Sequence, residues 1–529
     1  MGWPKISRPP SRLIALAAVA AVAAVAALAY LPSLDGYFLA DDFGFIRIFH
    51  DRPLKDFPRL FASDWSGGLW GHPLDEIRPV IALSYRLDAF LWGLRPVGYH
   101  VTSLVFHGLS AALVFLIAGR VTGRATLGLL AGLLFALSPT HVESVSWIAA
   151  RVDVMSATFF LASFYSFLMF RDSGDVRLWA LSFIAFGLAL FSKELTVTLP
   201  FLLLAYDVVC RRPGRARELL VHVPAFASLG GYFFVRHLAL ESTAREQMLN
   251  ADSLRAFLSR QSYYLGELLP PLRPLPDAVA WALVGLVLAV ALGSAWARGS
   301  GRGRHIVFFG PVWHLTVLAP TVVATLPESH RYLLLPSAGL AVLAALVVAS
   351  LPTRAALAAG AAFVLLLVPF GLQLGDYQAD WVRAGQLSRD FARQAQEVAE
   401  EAPAGSTVVL DVPGTYGRAY LWAWALPFAL EEPFSDSGLY RQHTVLERPE
   451  AYRCPFCWGS DRAEALRSAL GGQGDVYLVY LDGDGRAARR AIAREDWQTT
   501  MQDLLSAAGV PSPEAFTRLL DGLQGSAGR

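Results

Sequence analysis

The chain has 529 residues, a net charge of +1, and 54% hydrophobic residues before glycine is counted. A soluble globular chain reaches about 45–50% only with glycine included, so three or four soluble domains, the number its length suggests, are excluded. The near-neutral balance excludes a nucleic-acid binder, which needs a basic face, and three cysteines are too few for a disulfide scaffold.

Taken in chain order, apolar runs long enough to span a bilayer are expected at 12–34, 99–119, 125–139, 152–170, 177–192, 195–210, 219–240, 278–297, 306–326, 333–350 and 355–374. The fold class is a polytopic α-helical membrane protein of about eleven transmembrane helices. The first run exceeds a signal-peptide core of about 7–15 residues and reads as an uncleaved anchor. Lys5, Arg8 and Arg12 put the N-terminus inside, and each even-numbered loop carries arginines, as inside loops do. Nearly all 45 basic residues are arginine, lysine occurring only at positions 5, 55 and 193. With abundant Ala and Gly, this suggests GC-rich coding, a bacterial source and an inner-membrane location.

The outside loops differ. The first, 35–98, opens with "YFLADDFGF" and contains Trp65, Trp70, Trp92 and the amphipathic run 81–94, expected to lie on the bilayer. Asp41 and Asp42 are a solvated helix end or a pair in which mutual repulsion leaves one better base. They lack the D-x-D spacing of nucleotide-sugar metal sites. No cofactor is called for, and a divalent metal is left open. Arg78 follows in "EIRPV".

"SPTHVESVSWIAARVD" is expected to start a helix after Pro139, with Thr140 and Glu143 as a capping box. Glu143, Trp147 and Arg151 then share one helix face, and Arg151 either pairs with Asp153 or holds a phosphate through its planar fork. "FSKEL" sets Lys193 and Glu194 at a span junction, as a snorkelling pair or a phosphate contact. "PESHRY" adds Glu328, His330 and Arg331. His100 and His107 read as packing residues. Ionisable groups at the ends of membrane helices are costly and usually functional. Here they converge on one face.

Beyond residue 375 the long apolar runs stop. Residues 406–412 and 475–483 read as strands and 494–509 as an amphipathic helix, giving a small extracytoplasmic α/β domain, 375–529, beside the membrane domain, 1–374. Cys454 and Cys457 form a C-x-x-C pair, read as a disulfide before a redox pair or half a zinc site.

Four ordered segments carry a resemblance: "RPVIALSYRLDAFLWGLRPVGYHVTSLVFHGLSAALVF", "LLFALSPTHVESVSWIAARVDVMSATFFLASF", "FSKELTVTLPFLLLAYDVV" and "ESHRYLLLPSAGL". Over about residues 37–390 the chain resembles the transmembrane and tetratricopeptide-repeat protein O-mannosyltransferases, of the C-type glycosyltransferase superfamily. The resemblance implies a polytopic enzyme whose site faces the lumen or periplasm, taking sugar from a polyprenyl-phosphate carrier. It implies an acid in the first outer loop, matched by Asp41 or Asp42. It also implies carrier-phosphate contacts in the neighbourhood of Arg78, Arg151, Lys193 and Arg331, with His141 and His330 as helpers and Glu143, Asp153, Glu194 and Glu328 in support. The tail departs from the family, having no 34-residue repeat, so the acceptor is left open among protein, glycan and lipid. Two other classes stand beside this reading: a lipid-carrier flippase, which predicts polar groups across the whole bilayer, and a membrane-anchored scaffold.

Overall fold

The computed structural model describes residues 12–69, 73–240, 251–270, 273–323, 329–422, 425–447, 475–492 and 496. Glu328, Trp70, Cys454, Cys457 and the expected helix 494–509 lie outside the described residues.

The N-terminal half is helical: α1 Arg12–Ala29, α2 Asp41–Phe49, α3 Pro79–Trp92, α4 Pro96–Thr122, α5 Ala125–Ala136, α6 Val142–Ser146, α7 Arg151–Ser173, α8 Val176–Leu190 and α9 Leu199–Tyr206. Proline opens α3 and α4, where its missing N–H is no loss. The left-handed glycines Gly123 and Gly174 stop α4 and α7. Small residues let α1, α4 and α5 approach closely: a Cβ on Gly128 would meet the Phe115 carbonyl oxygen at 2.6 Å. The expected surface helix is α3, and Leu83, Leu87, Phe90 and Leu91 form one exposed apolar stripe on it.

Next in the chain come α10 Val223–Ala239, α11 Ala251–Leu268, α12 Asp277–Ala297, α13 Arg302–Val307, α14 Trp313–Leu318, α15 Pro320–Val323, α16 Leu334–Ser350 and α17 Thr353–Glu401. The sheet region comprises β1 Thr407–Asp411, the hairpin β2 Thr415–Tyr416 and β3 Ala419–Tyr420, α18 Leu439–Gln442, β4 Thr444–Glu447, β5 Val476–Leu481 and β6 Ala487–Ile492. Four strands run in the order β4-β1-β5-β6, with β1 parallel to β4 and β5, and β6 antiparallel. In register, Thr407 faces Thr444 on one side and Val476 on the other. The expected strands at 406–412 and 475–483 are thus β1 and β5.

Eleven full-length spans are not what the structure holds. Among the described residues six helical stretches are long and apolar enough to cross a membrane, and seven if the bent pair Ala125–Ala136 and Pro139–Ser146 counts as one. The other four expected runs are helical but short, like α1 and α8, or broken. Residues 194–211 pass from a 3-10 turn through α9 into a π turn, and 302–323 is interrupted at Gly310, Pro311 and Pro320. Proline removes a ladder donor and clashes with the preceding turn. No break marks the expected boundary at 374, because α17 runs unbroken through it for 49 residues.

Candidate functional site

The site lies where α4 and α7 begin. Asp41 and Asp42 open α2, and their environments differ. Asp42 is buried: Oδ2 accepts the Leu39 N–H at 2.9 Å, and Oδ1 accepts the Ala149 N–H at 2.6 Å. It ties the first loop to the 147–150 turn. Burial raises its pKa despite those two bonds. Asp41 is only partly buried, and its carboxylate accepts no hydrogen bond among the described residues. Burial pushes its carboxyl up to about 7; Glu76 adds to the rise, and Arg331 opposes it.

Three of the expected cations are closed into ion pairs. Arg78 donates Nη2 to Glu194 at 2.8 Å and lies 2.8 Å from Glu76 through Nη1. Lys193 pairs with Asp153, and its ammonium lies over the Tyr332 ring at 5.3 Å. Burial draws the Lys193 pKa down, Asp153 opposing. Arg151 is fully buried. It donates to Asp88 at 2.6 Å, to the Tyr99 carbonyl at 3.1 Å and to the Ile148 carbonyl at 3.3 Å, with Tyr85 under its guanidinium at 4.5 Å.

This corrects the expected Arg151–Asp153 pair, since Asp153 turns to Lys193 and Arg151 to Asp88. The shared helix face of Glu143, Trp147 and Arg151 is also corrected. The chain leaves the helix at Trp147 (ψ 122°) and re-enters it at Arg151, because the Trp147 Nε1–H is drawn to the Leu39 carbonyl at 3.3 Å. Nor does a capping box form. Glu143 accepts Ser329 Oγ at 2.8 Å, and Thr140 shares a hydrogen bond with Ser138.

His141 is a core residue, fully buried, 2.7 Å from Ser337 Oγ and packed on Phe135 and His107. His330 lies at the rim, 2.9 Å from Glu267 and stacked on Tyr377. Arg331 is the least committed cation of the cluster. It is 3.9 Å from Glu143, its Nε is buried without a hydrogen-bond partner among the described residues, and it lies over Trp147 and Tyr332 at about 5.5 Å. Tyr420 packs against Trp147 with ring centroids 4.9 Å apart and the rings tilted by 48°. Glu76, Asp88 and Tyr420 were missed as site residues. The first two were readable as acids within two residues of Arg78 and inside the amphipathic run, whereas Tyr420 carries no sequence signal.

An apolar cavity of about 280 Å³ lies along α16, lined by Leu268, Val287, Ser337, Leu340, Val347 and Phe370 among others. Ser337 to Val347 is roughly 15 Å of helix. No cluster of three or more metal-ligating side chains occurs among the described residues.

Residues 72–234 match the family model described as dolichyl-phosphate-mannose-protein mannosyltransferase. Over 189 residues the chain is 30% identical to the protein O-mannosyl-transferase TMTC3 of Homo sapiens, covering 34% of this chain and 20% of that protein. Over 182 residues it is 32% identical to Tmtc1 of Drosophila melanogaster, covering 32% and 20%. The similarity to the protein O-mannosyltransferases thus lies in one block of about a third of the chain. The chain spans about a fifth of the length of these relatives. Among solved structures, ArnT from Cupriavidus metallidurans bound to undecaprenyl phosphate superposes with a TM-score of 0.46 at 14% identity, over 89% of this chain and 94% of that one. The matched block contains Arg78, His141, Glu143, Arg151, Asp153, Lys193 and Glu194. Asp41 and Asp42 precede it, and His330 and Arg331 come after it.

Proposed function

We propose that the protein is a glycosyltransferase of the multi-pass membrane type. It moves a monosaccharide, mannose first among the candidates, from a polyprenyl-phosphate carrier to an acceptor hydroxyl with inversion at the anomeric carbon. The site faces the outer side of a bacterial inner membrane, the N-terminus lies inside, and the region from about 375 lies outside. The observation that carries this reading is the setting of Asp41, whose carboxylate accepts no hydrogen bond among the described residues, in the field of Arg331, whose Nε is buried without a hydrogen-bond partner among them.

Asp41 accepts the proton of the attacking hydroxyl. Arg331 meets the departing phosphate, whose negative charge grows as the glycosidic bond breaks, and a cation held there beforehand stabilises that charge without reorganising. Lys193 and Arg78 add positive potential behind it, each held by its own acid. Asp42 and Arg151 have their hydrogen-bonding groups occupied by protein partners and act as structural supports. The apolar cavity along α16 suits the isoprenoid chain of the carrier, which then need not leave the membrane interior. The acceptor is a protein hydroxyl by kinship, with glycan and lipid as the other classes to be tested.

The test is sugar transfer by the protein reconstituted in lipid nanodiscs with polyprenyl-phosphate mannose, with the product anomer read by NMR. An inverted product, lost in Asp41→Asn, supports the reading. Full turnover in an Asp41→Asn/Asp42→Asn double variant would falsify it. Mass spectrometry of protein, lipid and polysaccharide fractions from a deletion strain identifies the acceptor.

A further inference from the structure

Ala40, immediately before Asp41, has φ +43° and ψ −117°. A non-glycine residue there is strained and persists only where its surroundings over-determine it. Those surroundings come largely from α17 and from residues 420–434 beyond it. The Ala40 N–H donates to the Leu421 carbonyl at 2.9 Å. The Phe38 carbonyl accepts Ser388 Oγ at 2.7 Å, and the same Oγ accepts the Trp422 Nε1–H at 2.8 Å. Gly385 lets α17 lie directly on the chain, since a Cβ there would meet Tyr37 N at 2.5 Å. The Leu39 carbonyl accepts the indole N–H of Trp147, whose ring packs against both Tyr420 at 4.9 Å and Trp381 at 6.0 Å. On α2 itself, Phe43 packs on Phe434 at 4.9 Å and Arg47 pairs with Glu431 at 2.5 Å.

α17 also touches other helices of the bundle, as where Gln378 Nε2 donates to the Ala29 carbonyl at 3.1 Å, but the contacts of Gly385, Ser388, Leu421, Glu431 and Phe434 fall on residues 37–47, the element that presents Asp41. We propose that α17 and the β2–β3 hairpin are positioning elements of the active site: they hold the strained Ala40 backbone in the one conformation that aims Asp41, and the C-terminal region is therefore obligatory for transfer. Ser388 and Trp422 hold the Phe38 carbonyl, Leu421 holds Ala40, and Tyr420 holds Trp147 in place. None of them touches the reacting atoms. Tyr420 is also near enough to Asp41, Glu143 and Arg331 to feel their charges. A misplacement of about 1 Å at a reacting group can lower a rate about 100-fold.

This rests on the glycosyltransferase reading, and the experiment separates the two. Ser388→Ala, Trp422→Phe, Tyr420→Ala and Tyr420→Phe are compared with the intact chain in nanodiscs, by steady-state kinetics and by hydrogen exchange of the peptide covering 36–47. Expected are a kcat lowered roughly tenfold or more in Ser388→Ala, Trp422→Phe and Tyr420→Ala, a donor KM within about twofold, faster exchange confined to that peptide, and recovery in Tyr420→Phe, which keeps the ring. Unchanged exchange at 36–47, or wild-type kcat in the first three variants, overturns the proposal. So does global unfolding of the conservative Trp422→Phe, which would show that the contact serves stability alone. If the intact chain transfers no sugar, the functional reading fails, while the exchange data still decide whether the clamp exists.

Discussion

Where α4 and α7 finish, charge is closed on itself. Arg120 and Arg211 share Asp172, and Arg171 and His222 meet on the fully buried Asp207. Where the same helices begin, Arg78, Arg151 and Lys193 are closed in a similar way, whereas Arg331 reaches Glu143 only at 3.9 Å with its Nε lacking a hydrogen-bond partner, and the Asp41 carboxylate accepts no hydrogen bond, among the described residues. Both ends use arginine–carboxylate pairs, so the presence of such pairs does not distinguish a working site from a stapled one. The distinguishing feature is a remainder: one carboxyl and one guanidinium held near each other with capacity unfilled. Buried pairs contribute little net stability, yet breaking one leaves a costly unpaired charge. The opposite end should therefore respond to mutation in stability, and the site end in rate.

The sharpest way to break that contrast is Asp41→Asn. Its transfer rate should fall about 10²- to 10⁴-fold with the thermal midpoint unchanged, measured by donor turnover and a melting scan. The counterpart is Asp207→Asn, which strands Arg171 and should cost about 3–5 kcal/mol while the folded fraction keeps its specific activity. Guanidinium chloride unfolding of the detergent-solubilised protein, alongside an assay normalised to folded protein, reads both quantities. Arg331→Ala removes a charged phosphate contact of about 1.5–3 kcal/mol, so its donor affinity should weaken roughly 10- to 100-fold in a lipid-phosphate competition assay.

The pH profile is set by the sign of the Asp41 shift. A base works deprotonated, so with its pKa raised to about 7 activity should rise through pH 7 and fall roughly tenfold per unit below it. An acid limb near pH 4 would mean that another group is the base. The smallest effect belongs to Arg120→Ala, where a part-exposed pair should cost within about 1 kcal/mol and leave turnover unchanged.

Apolar runs located the helices well, because a bilayer span must satisfy its backbone within itself. They overcounted full-length spans at Gly310–Pro311 and around residue 200, where local breaks interrupt runs that remain hydrophobic. The choice between Asp41 and Asp42 was not readable, since it turns on the Ala149 N–H, 107 residues away. For Arg151 the sequence offers only Asp153, near in the chain, as a pairing acid beside a phosphate contact. Its partner, Asp88, comes from a surface helix brought in by tertiary packing. The break at Trp147 has a similar origin: "SWIAAR" contains nothing hostile to a helix, and the tryptophan is pulled out by a carbonyl more than a hundred positions earlier.

The 49-residue α17 is roughly 74 Å of uninterrupted helix at 1.5 Å per residue, and such a rod carries a rotational phase as well as a length. One residue inserted near Gly375 would turn everything beyond it by about 100°, swinging Ser388 and Gly385 away from the chain they press upon. Seven inserted residues would bring the same face back to within about 20°, but lifted by roughly 10 Å. The region beyond α17 is thus geared to the helices that precede it, and the freedom of α17 to change length is quantised by the helical turn.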